Sequence, residues 1–331
     1  MKILPNADDK RRARERKRGR TARGPHEIPV EGWKDIAWRV YGSTQESGLS
    51  LIAAGVTFYV ILALFPALTA LVSVYGLLAN PSSIGEQVSA LSGVLPDDAI
   101  GLVQGQLDSL ARAPEGKLSL GFAVSLLAAL WSVNTAMKSV FQGLNVTYGE
   151  KEKRGIVGLN MISFMFAMGG VLTMMVYLIA IAVVPLVLNY VGLSVVTEAL
   201  IKLARWPILL VISGLMIALL NRFGPSRHAA QWKWVTPGSV FVMVAWGGGS
   251  SVFSFYLAHF ANYDKTYGSL GAAIGLMVWV WVSTYILLVG AAINAEIEHQ
   301  TAIDTTEDGG RPMGRRGAFM ADTVGKAWGG K

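Results

Sequence analysis

Six long apolar stretches, separated by polar connections, constrain this chain more than any other feature of its sequence. They cover residues 48–78, 118–144, 157–188, 200–220, 237–259 and 269–295. Because about 20 apolar residues suffice for a helix to cross the hydrocarbon of a bilayer, each stretch predicts a membrane-spanning helix. Charged residues make up only 15% of the chain, against roughly 25% in soluble domains. The sequence therefore predicts an all-α polytopic membrane protein with six transmembrane helices.

The charges of the connections predict its orientation in the membrane. The connection of residues 80–117 holds more acidic than basic residues, whereas the connections after the second and fourth stretches are basic. Basic loops stay preferentially on the cytoplasmic side. We therefore expect both termini to lie in the cytoplasm.

Both ends of the chain are polar. Nine Lys and Arg residues lie between Lys10 and Arg23, in a segment without apolar periodicity. This composition predicts a disordered cytoplasmic tail over residues 1–30 that contacts anionic membrane lipid. The arm has no interleaved aromatic residues on which bases could stack, so no nucleic-acid partner is expected. Residues 299–331 are predicted to form a second disordered tail, which leaves residues 31–298 as the transmembrane domain.

A short amphipathic helix is predicted between the basic tail and the first apolar stretch. Trp33, Ile36 and Val40 recur there at helical spacing, with Lys34 and Arg39 on the other side. Interfacial helices combine such a polar side with aromatic residues that sit among the headgroups. We expect this helix to lie at the membrane surface, with its tryptophans at headgroup level.

The motifs of common enzyme classes are missing from the sequence. The chain has no cysteine, and its four histidines are isolated in sequence. No phosphate-binding GxxxxGK[ST] loop, HExxH helix or GxSxG turn occurs, and each of these is needed for its chemistry. The sequence predicts no catalytic, cofactor or metal site, and we do not expect an enzyme.

A polar stripe runs along the second apolar stretch. Asn134, Lys138 and Asn145 fall within about 80° of one another on a helix. An ionisable group at membrane depth costs a few kcal/mol or more unless it is paired or faces water. Lys138 could pair with Glu46 at the start of the first span or with Glu296 at the end of the last. Two interpretations stay open, a structural tie between helices and a polar cavity open to the cytoplasm that takes an anionic headgroup or another small ligand.

Four segments, in this order, resemble the YihY/BrkB family of bacterial inner-membrane proteins. They are LIAAGVTFYVILALFPALTALVS, LWSVNTAMKSVFQGLNVTYGEKEKR, PSRHAAQWKWVTPGSVFVMVAW and YGSLGAAIGLMVWVWVSTYILLVGAAINAE, within residues 33–298. Positions that match the family's motifs include Asn145, Arg154, Asn294 and Glu296. Where the family commonly has Ser-x-Gly after a Trp-Ser pair, this chain has Val133, Asn134 and Thr135.

The resemblance implies a six-helix membrane protein with cytoplasmic termini and a role in the cell envelope. It also implies that the family's older label, ribonuclease BN, is a misassignment. Our first hypothesis is a transporter or translocator of a lipid or envelope component; the second is a non-transporting scaffold or partner-binding protein. The candidate residues for a polar cavity or helix tie are Glu46, Asn134, Lys138, Asn145, Arg154, Asn294 and Glu296.

Overall fold

The computed structural model describes residues 15–78, 118–180, 184, 195–259, 270–307 and 309–329. The acidic connection of residues 80–117 and the first part of the basic arm, residues 1–14, lie outside the described residues. Within these ranges the chain is helical, and the extended pairing is a single isolated bridge between Ala230 and Thr306. The predicted all-α class is confirmed for this part of the chain.

The described helices follow the predicted apolar stretches closely. They are α1 (Val30–Glu46), α2 (Leu49–Leu78), α3 (Leu118–Thr147), α4 (Ile156–Leu178), α5 (Val195–Phe223), α6 (Trp232–His259), α7 (Leu270–Glu298) and α8 (Phe319–Asp322), with a 3₁₀ turn over Pro25–Glu27. The long helices form because their residues are almost continuously apolar, and a helix satisfies all of its backbone groups internally where lipid cannot.

Six membrane spans are predicted, but fewer of the described helices are long and apolar enough to count as spans. Three are long and apolar enough within the described residues, namely Ile156–Tyr177, Thr197–Phe223 and Ala273–Glu298. A fourth is added if Val30–Glu46 and Leu49–Ala63, which meet at a bend of 58°, count as one span. Within the residues that the structure describes, three or four spans are thus supported.

The chain divides into two compact units, Met1–Thr57 with Val140–Lys331, and Phe58–Ser139. In the first unit, α6 packs along α7 and against α5, α5 packs on α4, and α1 packs on α7. Aromatic contacts run along the α6–α7 pair, where the Trp246 indole N–H donates to Ser283 Oγ at 2.9 Å and the Trp246 and Trp279 rings lie 5.9 Å apart. Many large apolar side chains on α4 and α5 are exposed, as lipid-facing surfaces are.

Two glycines allow α6 and α7 to approach each other at backbone distance. A Cβ atom added to Gly238 would lie 2.0 Å from the Gly290 carbonyl oxygen, and one added to Gly290 would lie 2.2 Å from Val242. Small residues at helix crossings permit this geometry in membrane proteins. The close approach brings the Asn294 side chain of α7 next to the backbone around Pro237 of α6.

The ends of the chain form an ordered layer against α1, α6 and α7, which we call the terminal layer (residues 15–29 and 299–329). Thr301 Oγ1 donates to the Ala22 carbonyl at 2.7 Å, and the Ala302 N–H donates to the Arg20 carbonyl at 2.8 Å. An apolar cluster lies beneath these bonds, formed by Ala22, Ile28, Ile36, Ala230, Trp234, Val235 and Ile297. Each described segment thus supplies hydrogen-bond partners to the other, while the disordered cytoplasmic tails over residues 1–30 and 299–331 stay a prediction.

The end of the terminal layer is held by Arg316. Its guanidinium donates to the carbonyls of Ala321 at 2.6 Å and Ala302 at 2.8 Å. The short helix α8 then reaches the turn after α3, where the Phe319 N–H donates to Glu150 Oε1 at 2.6 Å. Phe319 also covers Gly149, whose φ of +65° favours glycine. These contacts join segments that are far apart in the sequence, so composition alone does not indicate them.

Candidate functional site

Glu296 is buried at the end of α7 and is paired with Arg39 of α1. Arg39 Nε lies 2.5 Å from Glu296 Oε2, and both side chains are less than one-tenth exposed. The second amine of the same guanidinium donates to the Glu296 carbonyl and to Gln300 Oε1. The fork of a guanidinium suits such multiple bonding. Glu296 therefore ties α1 to α7.

The same network extends through Asp35 to the two ends of the chain. Arg18 donates to both carboxylate oxygens of Asp35 at 2.7 and 2.9 Å. The backbone N–H of Trp328 donates to Asp35 at 2.8 Å, and Gln300 donates to the Arg18 carbonyl at 2.7 Å. Asp35 is 1% exposed. A buried carboxylate needs partners of this kind, and here they come from the terminal layer.

A second buried ion pair joins the connection after α5 to the end of α7. Arg227 donates to the two oxygens of Glu298 at 2.8 Å each, and both side chains are fully buried. Burial alone would lower the pKa of Arg227, but the facing carboxylate outweighs it and raises that pKa. The guanidinium also lies 4.2 Å from the centre of the Tyr148 ring, and burial raises the pKa of the Tyr148 phenol.

Asn294 completes the α6–α7 crossing. Its side-chain oxygen accepts from the Gly238 N–H at 2.7 Å, and its amide nitrogen donates to the Val235 carbonyl at 2.9 Å. Pro237, between these residues, has no N–H and disturbs the helical hydrogen bonds around it. The fully buried Asn294 side chain supplies hydrogen bonds to the backbone where the proline disturbs the helical ones. This role is structural.

Asn145 and Arg154 are brought together by Glu152. Asn145 donates to Glu152 at 3.0 Å and accepts from the Ser226 N–H at 2.7 Å. Arg154 binds both oxygens of the same carboxylate at 2.7 Å and donates to the Gly224 carbonyl at 2.8 Å. These two predicted residues thus join the end of α3 to the connection after α5.

The Glu152 contacts predict a pH-dependent contribution to stability. Hydrogen bonds from Arg154 lower the pKa of Glu152 to about 2. Because the folded pKa is below the usual value of about 4.3, the ionised carboxylate stabilises the fold above that value, and the effect disappears as pH falls towards 2. We expect Glu152→Gln to lower the unfolding temperature at pH 7 and to have a progressively smaller effect below pH 4, as measured by thermal unfolding in detergent. A difference that stays constant down to pH 2.5 would contradict this assignment.

Asn134 and Lys138 lie in the second unit, one turn apart on α3. Asn134 is 8% exposed, whereas Lys138 is half-buried. The Lys138 amine lies 5.4 Å from the centre of the Trp131 ring, within the range of a cation–π interaction. A buried amide and a half-buried amine thus share one face of a long helix, as the spacing predicts.

The pairing of Lys138 with Glu46 or Glu296 stays a prediction. Glu46 is exposed at the end of α1, and the carboxylate of Glu296 is bound by Arg39 and lies 3.4 Å from His299. Sequence reasoning missed the residues that hold the buried pairs, Arg39, Arg227, Glu298 and Gln300. The one available signal was an acid at each of positions 296 and 298, at the end of an apolar stretch.

No group of three or more acidic, His or Cys side chains that could hold a metal ion occurs among the residues that the structure describes. The buried carboxylates of Asp35, Glu296 and Glu298 are each bound by an arginine. Within the first unit, the polar residues therefore form ties between chain segments.

Comparison with known proteins finds relatives among membrane proteins. The sequence model of the family described as "Virulence factor BrkB" matches residues 40–313. The ribonuclease-like protein YfkH of Bacillus subtilis is 29% identical over 248 residues, which cover 73% of this chain and 88% of that protein. A UPF0761 membrane protein of Verminephrobacter eiseniae is 25% identical over 283 residues, and one of Ralstonia nicotianae is 24% identical over 260 residues. The matches cover 80% and 76% of this chain but only 62% and 56% of those two relatives. No solved structure matches the chain.

Proposed function

We infer the function of this chain from its family. The chain belongs to the BrkB family, whose members include proteins named as membrane proteins. The resemblance seen in the sequence is thereby confirmed. We propose that the chain is a bacterial inner-membrane protein with six spans and cytoplasmic termini, and that it moves a lipid or another envelope component across the membrane. The apolar helices and the basic connections support this arrangement.

The observation that carries the proposal is the pair Asn134 and Lys138 on α3. A lysine within a long, mostly apolar helix costs free energy, so its presence there indicates a role. Lys138 is half-buried, and its amine lies over the Trp131 ring. An amine in such a position can attract the phosphate of a lipid headgroup while the neighbouring amide of Asn134 hydrogen-bonds to it. This side of α3 is our candidate ligand surface.

The other predicted polar residues have a different role in this proposal. Asn145, Asn294 and Glu296 direct their hydrogen bonds to other parts of the chain. In this proposal they hold the ends of their helices together.

A non-transporting scaffold is the second candidate, and the same ties favour it. Asn145, Arg154, Asn294 and Glu296 all contact other parts of the chain, as expected if polar groups serve only to hold helices together. The two candidates differ at Lys138. A scaffold tolerates its replacement if the helices stay packed, whereas a translocator that uses the amine does not.

Cleavage of RNA is not part of the proposal. The name of the Bacillus subtilis relative refers to ribonucleases, but that name describes the relative. We expect purified protein, freed of contaminating nucleases, to leave RNA intact. Cleavage that a point substitution in this chain abolishes would overturn the assignment as a non-enzyme.

The proposed function can be tested in cells that lack the chromosomal copy of the gene. We expect wild-type protein to restore the envelope phenotype and the lipid distribution between leaflets, and Lys138→Ala to fail although it is inserted at normal levels. Lys151→Ala removes an exposed lysine and serves as the matched control. If Lys138→Ala restores the phenotype fully, the proposal of transport through this surface fails.

A further inference from the structure

The exposed side of α1 carries large apolar and aromatic residues together with Glu31 and Lys34, whereas its buried side holds the ion-paired Asp35 and Arg39 beside the apolar Ile36. Val30, Trp33, Trp38 and Tyr41 are between 37% and 73% exposed. We propose that this side, with Lys34 among the aromatics, is a membrane-binding surface that lies in the headgroup layer and contacts anionic lipid. The proposal does not depend on transport.

The distribution of polarity on α1 is partly reversed from that on a helix that packs against a water-soluble core, although Ile36 is buried in the apolar cluster. Asp35 and Arg39 are buried and ion-paired, whereas the aromatic residues point away from the protein. In a water-soluble protein, the apolar side of a helix faces the core. An aromatic side that faces outward is stable where the surroundings are neither water nor hydrocarbon alone, which describes the headgroup region.

The contact with α7 fixes the depth of α1 in the membrane. Arg39 binds Glu296 and Gln300, at the end of the span Ala273–Glu298. That span has 26 residues and is about 39 Å long at 1.5 Å per residue, which exceeds the roughly 30 Å of hydrocarbon. The ion pairs of Glu296 and Glu298 lie at this end of the span and would be costly within hydrocarbon, which places its last turns at the level of the headgroups, with α1 beside them.

The junction with α2 gives the same placement independently. The two helices meet at a bend of 58° after Ser47, where Gly48 has φ +60° and takes a left-handed conformation that favours glycine. The next helix begins at Leu49 and already exposes Leu51 by 79%. A bend between an interfacial helix and a spanning helix belongs at the membrane surface.

The charge of neighbouring residues selects the lipid. Arg16 and Lys17 are exposed and precede Arg18, whose ion pair with Asp35 fixes this part of the basic arm on α1. Together with Lys34 they place three positive charges next to the aromatic residues, where Glu31 and Glu46 are also exposed. The sequence from Lys10 to Arg23 has nine basic residues and one acidic residue. Each Lys or Arg near an anionic membrane surface contributes about 1 kcal/mol of attraction, so phosphatidylglycerol is the lipid that fits this surface.

The absence of cysteine from the chain allows a direct test with single labels. We would replace Tyr41 by cysteine, attach an environment-sensitive fluorophore, and place one copy per nanodisc made of phosphatidylglycerol with a shallow spin-labelled lipid as quencher. Arg315→Cys, at an exposed position of the terminal layer, is the control. Thermal unfolding of each labelled protein confirms that it is folded.

We expect the label at position 41 to be quenched at least about twofold more strongly than the label at position 315, because an interfacial helix buries its apolar face some 5–10 Å into the boundary. Replacing phosphatidylglycerol by phosphatidylcholine should weaken that quenching. Equal quenching at the two positions would overturn the proposal. If the label at position 41 is shielded from water only when each disc holds two copies of the protein, the proposal is also overturned. That result would indicate a contact between protein molecules.

Discussion

Glu298→Gln is expected to destabilise the protein by about 3–5 kcal/mol, the usual cost of removing one partner from a buried ion pair. The change leaves the size of the side chain intact but removes the charge that faces Arg227. Both side chains are fully buried, so the guanidinium cannot recover hydration. We expect a marked fall in unfolding temperature in detergent and a lower yield of inserted protein. Tyr148 and Thr305, which contact this pair, should lose order with it.

The same residues allow a control that separates lost packing from an unpaired charge. The double variant Arg227→Met with Glu298→Leu removes both charges and should be more stable than Glu298→Gln, because apolar replacements of a buried pair are often neutral. Glu31→Gln makes the same chemical change at an exposed position of α1 and should have little effect. If Glu298→Gln unfolds at the same temperature as Glu31→Gln, the pair does not hold the end of α7.

Gly238→Ala is expected to disrupt the crossing of α6 and α7. The added methyl group would lie 2.0 Å from the Gly290 carbonyl oxygen and 2.6 Å from the Asn294 side chain. Because the backbone cannot move aside as a flexible side chain can, the two helices must separate. The hydrogen bond from the Gly238 N–H to Asn294 is then lost. We expect a loss of several kcal/mol, as for overpacked or unsatisfied buried groups, seen as a lower unfolding temperature.

The control for this prediction lies in the same helix. Gly247 and Gly248 have open space where a Cβ atom would stand. Alanine favours helix over glycine by up to about 1 kcal/mol, so Gly247→Ala and Gly248→Ala should leave stability unchanged or raise it slightly. Equal losses at positions 238 and 247 would show that the effect comes from helix flexibility and not from the crossing.

The sequence predicts the helices well because their signal is local. Long apolar stretches locate α2 to α7, although Pro207 and Pro237 lie inside helices and not at their ends. The spacing of Asn134 and Lys138 likewise predicts that they share one face. These features need no knowledge of other parts of the chain.

The buried network is harder to predict because its partners are far apart in sequence. Arg39 and Glu296 are separated by 257 residues, and Arg39 reads as the polar side of an amphipathic helix that faces water. The structure buries that side and exposes the aromatic one. Similarly, Gln300 to Trp328 read as a polar tail, whereas their order depends on partners in α1 and the N-terminal arm.

Lys138 gains its proposed role from its surroundings, which the sequence indicates only in part. An ionisable residue within an apolar stretch is conspicuous in any sequence, and its interpretation as a tie or a ligand contact depends on what faces it. Asn145, Asn294 and Glu296 tie chain segments together, and the proposed ligand surface depends on the position of Lys138 within the apolar helix α3. The proposed function therefore depends on that surface.

The most direct measurement is the rate at which purified protein in vesicles moves a fluorescent phosphatidylglycerol between leaflets, followed by chemical quenching of the outer leaflet. Wild-type protein and Lys151→Ala are expected to translocate the lipid at the same rate, well above empty vesicles. Lys138→Ala should reduce that rate towards the empty-vesicle level with the same reconstituted amount. Translocation that is absent from wild-type vesicles, or unchanged in Lys138→Ala, would contradict the proposed lipid translocation through this surface.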